Sequence, residues 1–341
     1  MKKLLLLLSI VSFQSYASNV GIIDSGVYFE HEILNHSPWI NPGETFDNWV
    51  DDDRNGKVDD FYGWNFAENS PMIFNPEHIP NYHPIVYKVL EIASKIAAGS
   101  VTEEEREFWN TQVVGLPDDQ KKLLIGQVNH YGQYAHGTHC AGVVAMGNPN
   151  ASIMAGKIFP DQMVPEPHQP IGQKGIVDWL YGGFAALANT AFNSAGNYLK
   201  EMNMDVANYS LGVPIPTLAK AALGLGGNQN PTPEEIKKES WRIFNAYEKQ
   251  GKKWMSIASN TLFVVAAGND HNNNDDLPFF PANMQMDNSI TVAATNGHTS
   301  LADFSNYGIK HVHVAAPGVN IMSSVPGPTL DFQLPMSGTS M

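Results

Sequence analysis

Ser340 closes a short run of small residues, Met336-Ser337-Gly338-Thr339-Ser340-Met341. Such a turn can present a hydroxyl for attack on a carbonyl, and the same composition is also ordinary loop chemistry. A serine is a weak nucleophile until a base takes its proton, so the chain must also hold that base and a group to orient it. Two histidines stand in Gly132-Gln133-Tyr134-Ala135-His136-Gly137-Thr138-His139-Cys140-Ala141-Gly142, at the start of an apolar helix of small residues. One of them as a general base, with the other structural, is the simplest reading. Zinc held by His136 and His139 is the alternative, but the H-E-x-x-H pattern is missing and no third ligand is evident. Asp24 ends the apolar run Val20-Gly21-Ile22-Ile23 and precedes Ser25-Gly26. It reads as a functional acid at a strand end or as the cap of a loop.

A second chemistry is spelled out in Asp51-Asp52-Asp53-Arg54-Asn55-Gly56-Lys57-Val58-Asp59-Asp60. Asp51, Asp53, Asn55 and Asp59, with Gly56 at the sharp turn and the Lys57 carbonyl between, copy the first nine positions of a calcium loop. The closing glutamate of that loop is replaced by Tyr62, so Asp60 or Glu44 must supply the missing oxygen. These carboxylates would repel one another without a cation. We therefore expect Ca²⁺ here, with a solvated acidic turn as the alternative.

These residues need elements to position them. The apolar runs 20–23, 153–158, 204–209, 262–267 and 289–294 read as buried strands, separated by helical patterns at 176–198 and from Thr232-Pro233-Glu234-Glu235 to about Gln250. Alternation of this kind predicts an α/β fold with a mainly parallel central sheet and helices on both faces. Between Asn69 and about residue 130 lie three further helical signals: 85–98, a capping box at Thr102-Glu103-Glu104-Glu105, and Pro117-Asp118-Asp119. They read as a helical insertion in one domain spanning 18–341.

At 341 residues, 43% hydrophobic and 16% charged, the chain has ample material for a large core. Its net charge of −14 excludes the basic face that phosphate binding requires, so nucleic acid is not an expected partner. Lys2 and Lys3, the apolar run 4–11 and Ser15-Tyr16-Ala17 read as a signal peptide over 1–17, which predicts export to the periplasm or medium and no membrane attachment after cleavage. A single cysteine, Cys140, rules out an internal disulfide despite that oxidising destination.

Taken in order, Gly21-Ile22-Ile23-Asp24-Ser25-Gly26, the His136–Gly142 run, Ala266-Ala267-Gly268-Asn269, Ser305-Asn306-Tyr307-Gly308, Ala315-Ala316-Pro317-Gly318 and Ser337-Gly338-Thr339-Ser340-Met341 resemble the subtilisin-like serine peptidases, or subtilases. The resemblance covers most of the chain outside the signal and the insertion. It implies an endopeptidase acting on polypeptides through an acyl-enzyme, with Ser340 as nucleophile, His136 as base and Asp24 as the acid that orients it. It makes Asn269 the side-chain donor to the oxyanion and Ser210, Leu211, Gly212, Ala266, Ala267 and Gly268 the walls of the pocket for the residue before the scissile bond. Those small residues would leave room for a large apolar side chain. Pro281 matches a proline that is often cis in the family. Cys140 is placed as in proteinase K-like and thermitase-like members; it reads as a small buried hydrophobe, close enough to His136 that a mercurial would disturb it.

The chain departs from that pattern twice. Relatives carry a folding pro-segment after the signal, where here only Ser18 and Asn19 precede the Asp24 strand, and their serine opens a buried helix of which only Met341 is present. The expectation is a poorly supported Ser340 in what reads as a fragment. A catalytically inactive calcium-binding or interaction module on the same fold is the rival reading.

Overall fold

A computed structural model describes residues 18–160 and 184–341. The expected signal peptide and the segment 176–183 lie outside the described residues. In chain order the strands are β1 (Asn19–Asp24), β2 (Gly63–Asn65), β3 (Ser152–Lys157), β4 (Val206–Tyr209), β5 (Val213–Pro214), β6 (Leu262–Ala266), β7 (Phe279–Phe280), β8 (Ser289–Asn296), β9 (Ser300–Leu301), β10 (Val314–Pro317), β11 (Ile321–Ser324) and β12 (Gln333–Met336). The helices are α1 (Pro84–Ala98), α2 (Glu103–Trp109), α3 (Asp118–Gly147), α4 (Phe184–Glu201), α5 (Ile215–Leu225) and α6 (Pro233–Ile257).

Seven strands form a parallel sheet in the order β10-β8-β6-β4-β1-β3-β2, and β9 adds an antiparallel eighth beside β8. This is the expected α/β architecture, a mainly parallel central sheet with helices on both faces. From β1 the chain builds outward to β3 and β2 on one side and to β4, β6, β8 and β10 on the other. The sheet therefore reverses its winding between β1 and β4, where the carboxyl ends of strands open a crevice. Asp24 ends β1 at that crevice. On one sheet face, Phe192 of α4 and Trp254 of α6 stack with Tyr209 of β4, ring centroids 4.9–6.0 Å apart. Such pairs add about 1 kcal/mol each beyond the area they bury. On the other face α3 lays Cys140, Ala141 and Ala145 against Val20, Ile22, Ile153 and Ala155.

Two helices differ from their expected bounds. His136 does not open a helix: α3 is one element of 30 residues, and His136 sits well inside it. Gly126 and Gly132 each cost a helix about 1 kcal/mol, too little to break a segment packed along its length. Helix α6 likewise runs through Gly251 rather than stopping before it. A side chain at Gly251 would collide with Met284 and Phe280, so the glycine there serves close packing and not termination. The expected start signals are present: Thr102 and Thr232 each cap a helix with a reciprocal glutamate, worth about 1 kcal/mol apiece.

Hairpin β11–β12 is a separate two-stranded sheet that leads directly into the Ser340 turn. The Phe280–Pro281 peptide is cis.

Candidate active site

Asp24, 1% exposed, receives the Ser25 N–H at 2.7 Å. Its two carboxylate oxygens lie 2.8 and 2.9 Å from His136 Nδ1. The approach depends on Gly137, where a side chain would collide with the Gly26 carbonyl and the Asp24 Cβ. With Nδ1 held by the carboxylate, Nε2 is the nitrogen available as a base. Burial disfavours the imidazolium, but the Asp24 carboxylate and the neighbouring Cys140 together outweigh it, and the His136 pKa is raised well above 6.5.

His139 faces elsewhere. Its Nε2 meets the Ile321 carbonyl at 2.9 Å on β11, and burial pushes its pKa down to about 4. It therefore ties α3 to the β11–β12 hairpin, and the zinc reading fails because the two histidines do not converge. Among the described residues, the ligand groupings that form around either histidine include His136 but not His139.

Ser340 is better supported than its position suggested. Its carbonyl accepts from Ser210 Oγ at 2.9 Å and from Cys140 Sγ at 3.4 Å, and Gly338 N–H donates to Gly318 O at 2.8 Å. The turn is thus tied to the segment after β4, to α3 and to the loop after β10. The Ser340 hydroxyl donates to Ser210 O at 3.2 Å, and among the described residues no hydrogen bond joins it to His136. Ser340 and His136 both lie against Cys140 but are not hydrogen-bonded to each other, and contacts of that kind often tighten only when a ligand binds.

Asn269 is fixed by Thr339, the residue beside Ser340. Its Oδ1 accepts Thr339 N–H at 2.9 Å and Thr339 Oγ1 at 3.1 Å, while Thr339 Oγ1 accepts Gly268 N–H at 3.1 Å. That use of Oδ1 turns the amide so that Nδ2 and the Ser340 N–H carry no protein hydrogen bond among the described residues. Both are donors available to an oxyanion. Behind them, fully buried Asn306 accepts from Asp270 N–H and Asn272 N–H and donates to Ala267 O, bracing the loop on both sides of Asn269. Gly268 has φ +107°, and a side chain there would strike Asn306. The short Ser305-Asn306-Tyr307-Gly308 run held this role unseen, because buried asparagine networks have no sequence period.

Ser210-Leu211-Gly212 follows β4 and Ala266-Ala267-Gly268 ends β6, as the neighbouring strands require. The ring of Phe279 stands between them, its Cε1–Cζ edge on Gly212 and its Cδ2–Cε2 edge on Gly268. A methyl group placed on Gly268 would lie 2.8 Å from Cδ2. This ring, which pairing of β5 with β7 delivers from far along the chain, packs against both segments.

In the acidic loop, ligand oxygens of Glu44, Asp51 and Asp53 lie within 4.8 Å of one another. Glu44 is 8% exposed; its Oε1 accepts Asp52 and Asp53 N–H, and its Oε2 is buried with no partner among the described residues. Burial raises the Glu44 pKa, with nearby Asp60 and Asp53 adding to the rise. Asn55 Nδ2 bridges Asp53 and buried Asp60 at 3.1 and 2.8 Å. Asp59 is not part of the cluster: its carboxylate turns back to Asn48 and Trp49 N–H at 3.0 and 2.9 Å, with its own φ at +56°. Glu44 takes its place. The donors are all oxygens with one orphaned carboxylate atom among them, which fits a hard cation such as Ca²⁺.

The Subtilase family model matches residues 17–341. The chain belongs to the subtilase family. Among its relatives, the extracellular basic protease of Dichelobacter nodosus is 28% identical over 240 residues, 69% of this chain and 32% of that protein. The thermophilic serine proteinase of Bacillus sp. (strain AK1) is 31% identical over 206 residues, 60% of this chain and 39% of that protein. The subtilase chain thus spans well under half the length of these curated relatives. A crystal structure of a cold adapted subtilisin-like serine proteinase aligns with 97% of this chain and 72% of its own at 16% identity and a TM-score of 0.43. Among the described residues no helix is long and apolar enough to cross a membrane.

In this subtilase Cys140 Sγ lies 3.9 Å from His136 Nδ1 as well as touching the Ser340 carbonyl. An organomercurial bound at this thiol is expected to slow Ser340 labelling by a fluorophosphonate without abolishing it. Full labelling with the thiol titrated would remove Cys140 from the site.

Proposed function

We propose that this chain is the catalytic portion of an exported serine endopeptidase that cleaves polypeptides through an acyl-enzyme. The observation that carries the reading is the Asp24 carboxylate on His136 Nδ1 at the crevice that also holds the Ser340 turn. For reaction, Ser340 Oγ leaves Ser210 O and donates to His136 Nε2. Oγ then attacks the peptide carbonyl carbon as Nε2 takes its proton, and Asp24 stabilises the imidazolium. The oxyanion is met by Asn269 Nδ2 and the Ser340 N–H. The C–N bond breaks as the imidazolium returns its proton to the leaving amine. Water, deprotonated by His136, then attacks the ester, and cleavage of the C–Oγ bond frees the acid and the serine.

Export rests on the 1–17 signal pattern and on the extracellular relative. The role proposed for calcium is structural: Glu44, Asp51, Asp53 and Asn55 would hold it, pinning the loop before β2 to the edge of the sheet.

Phe279 sharpens the substrate class. A ring between Gly212 and Gly268 leaves space for glycine, alanine or serine before the scissile bond and excludes phenylalanine or leucine. Peptide libraries should show that small-residue preference, and Phe279→Gly should improve cleavage after large apolar residues by about 10- to 100-fold relative to small ones. Equal acceptance of phenylalanine by the unaltered protein would refute the closed pocket.

The deciding experiment treats the full-length gene product with a fluorophosphonate probe. Labelling at Ser340, lost in His136→Ala, is expected. Failure of the folded protein to label would favour a binding module that keeps only the subtilase fold.

A further inference from the structure

The hairpin that delivers the nucleophile has no place in the main sheet. A two-stranded hairpin is marginal by itself, so its position must come from what packs on it. On one side stands α3, the helix that carries His136: Ser323 Oγ donates to His139 O, Ser324 Oγ to Thr138 O, and Tyr131 OH to Pro326 O. Beside α3, and touching it through Tyr87 and Tyr131 at 4.9 Å, stands α1 of the helical insertion. Val86 and Val89 share a core with Val325, Leu334 and Met336, and Tyr87 packs edge-on to Phe332 at 5.1 Å.

Among the described residues, one polar contact crosses this apolar interface. Ser94, 5% exposed, faces inward from α1 and places its Oγ 2.7 Å from Ser337 Oγ. Ser337 Oγ in turn accepts the Asn320 N–H at 2.9 Å. Ser337 begins the Ser-Gly-Thr-Ser turn, so the two hydroxyls and the Asn320 amide fix where that turn leaves the hairpin. Serine is a poorer helix former than alanine, and burying its hydroxyl is unfavourable unless it is bonded. At position 94 the bond is to the turn that presents the nucleophile.

We propose that helix α1 of the insertion is a strut for the nucleophile turn, with Ser94 a positioning residue that acts through Ser337. This rests on Ser340 being the nucleophile as proposed above. The insertion then has a defined mechanical role. Helices α1 and α3 share one apolar cluster with the hairpin, so the position of Ser340 is referenced to the helix that carries its base.

The test compares Ser94→Ala, Ser337→Ala, the double variant and Ser94→Thr in the full-length protein. Saturation kinetics of fluorophosphonate labelling separate the maximal rate from probe affinity. Each alanine variant should lower the maximal rate by about 3- to 30-fold with little change in affinity, as expected for a small misplacement of a reacting group. The double variant should lose no more than Ser337→Ala alone, because that change already removes the Ser94 contact along with the Asn320 one. Ser94→Thr, which keeps the hydroxyl, should recover most of the rate. An unchanged maximal rate in Ser94→Ala, or multiplied losses in the double variant, would overturn the strut. Hydrogen exchange across 318–340 decides the matter separately from activity: Ser94→Ala should speed exchange there and leave β4 and β6 unaltered, and equal protection would count against the proposal. If the unaltered protein does not label, the enzymatic reading fails while the exchange result still judges the strut.

Discussion

Replacing His136 with alanine is expected to slow Ser340 labelling by on the order of 10⁴-fold or more, the scale of loss when a triad base is removed. The same experiment run against pH carries more information. The Asp24 carboxylate stabilises the imidazolium, so His136 holds its proton to higher pH than a free histidine. Only the neutral ring can accept the Ser340 proton. Labelling should therefore rise with pH, and the midpoint of that rise should lie above 6.5. Asp24→Asn removes the charge that favours the imidazolium, so the midpoint should move down even as the rate falls by about 10⁴-fold. A midpoint unmoved by Asp24→Asn would mean that the residue titrating in the profile is not His136.

Calcium removal is the second large effect. If the cluster of Glu44, Asp51 and Asp53 holds Ca²⁺ in the folded state alone, saturation at about 100 times Kd contributes about 2.7 kcal/mol. For a chain of this size that corresponds to a fall in Tm of roughly 4 °C when EDTA is added. Asp53→Ala should begin at the lower Tm and show no further response to EDTA. Asp59→Ala, by contrast, should keep the EDTA response, because Asp59 holds the 48–49 backbone and not the cluster. Melting curves unchanged by EDTA would leave the loop as a hydrogen-bonded acidic turn.

Local signals were legible wherever a residue's role is set by its own neighbours in the chain. Thr102 and Thr232 announce helix starts because capping joins residues three apart. Asp24 announces a strand end because an acid and a glycine turn follow a run that must be buried. The glycines around His136 announce close packing, and Gly137 does lie against Asp24 and Gly26. Local signals misled where packing outweighed propensity. Gly132 and Gly251 look like helix breaks, yet α3 and α6 run through them, since a cost of about 1 kcal/mol is small beside the contacts each helix makes.

By itself, the sequence determined the alternation that makes a parallel sheet and the chemical types of Asp24, His136, Asn269 and Ser340, together with their order along the chain. It also determined the oxygen-rich composition of the acidic loop. Only the tertiary structure decided which groups meet. It brought Glu44 to Asp51 and Asp53 while turning Asp59 away, set Phe279 between Gly212 and Gly268, and left the Ser340 hydroxyl on Ser210 O instead of His136. It also joined Ser94 to Ser337. The physical reason is common to all four. Periodicity and capping are encoded over a few residues, whereas a contact between distant segments depends on strand order, on helix packing distance and on which partner a polar atom reaches first.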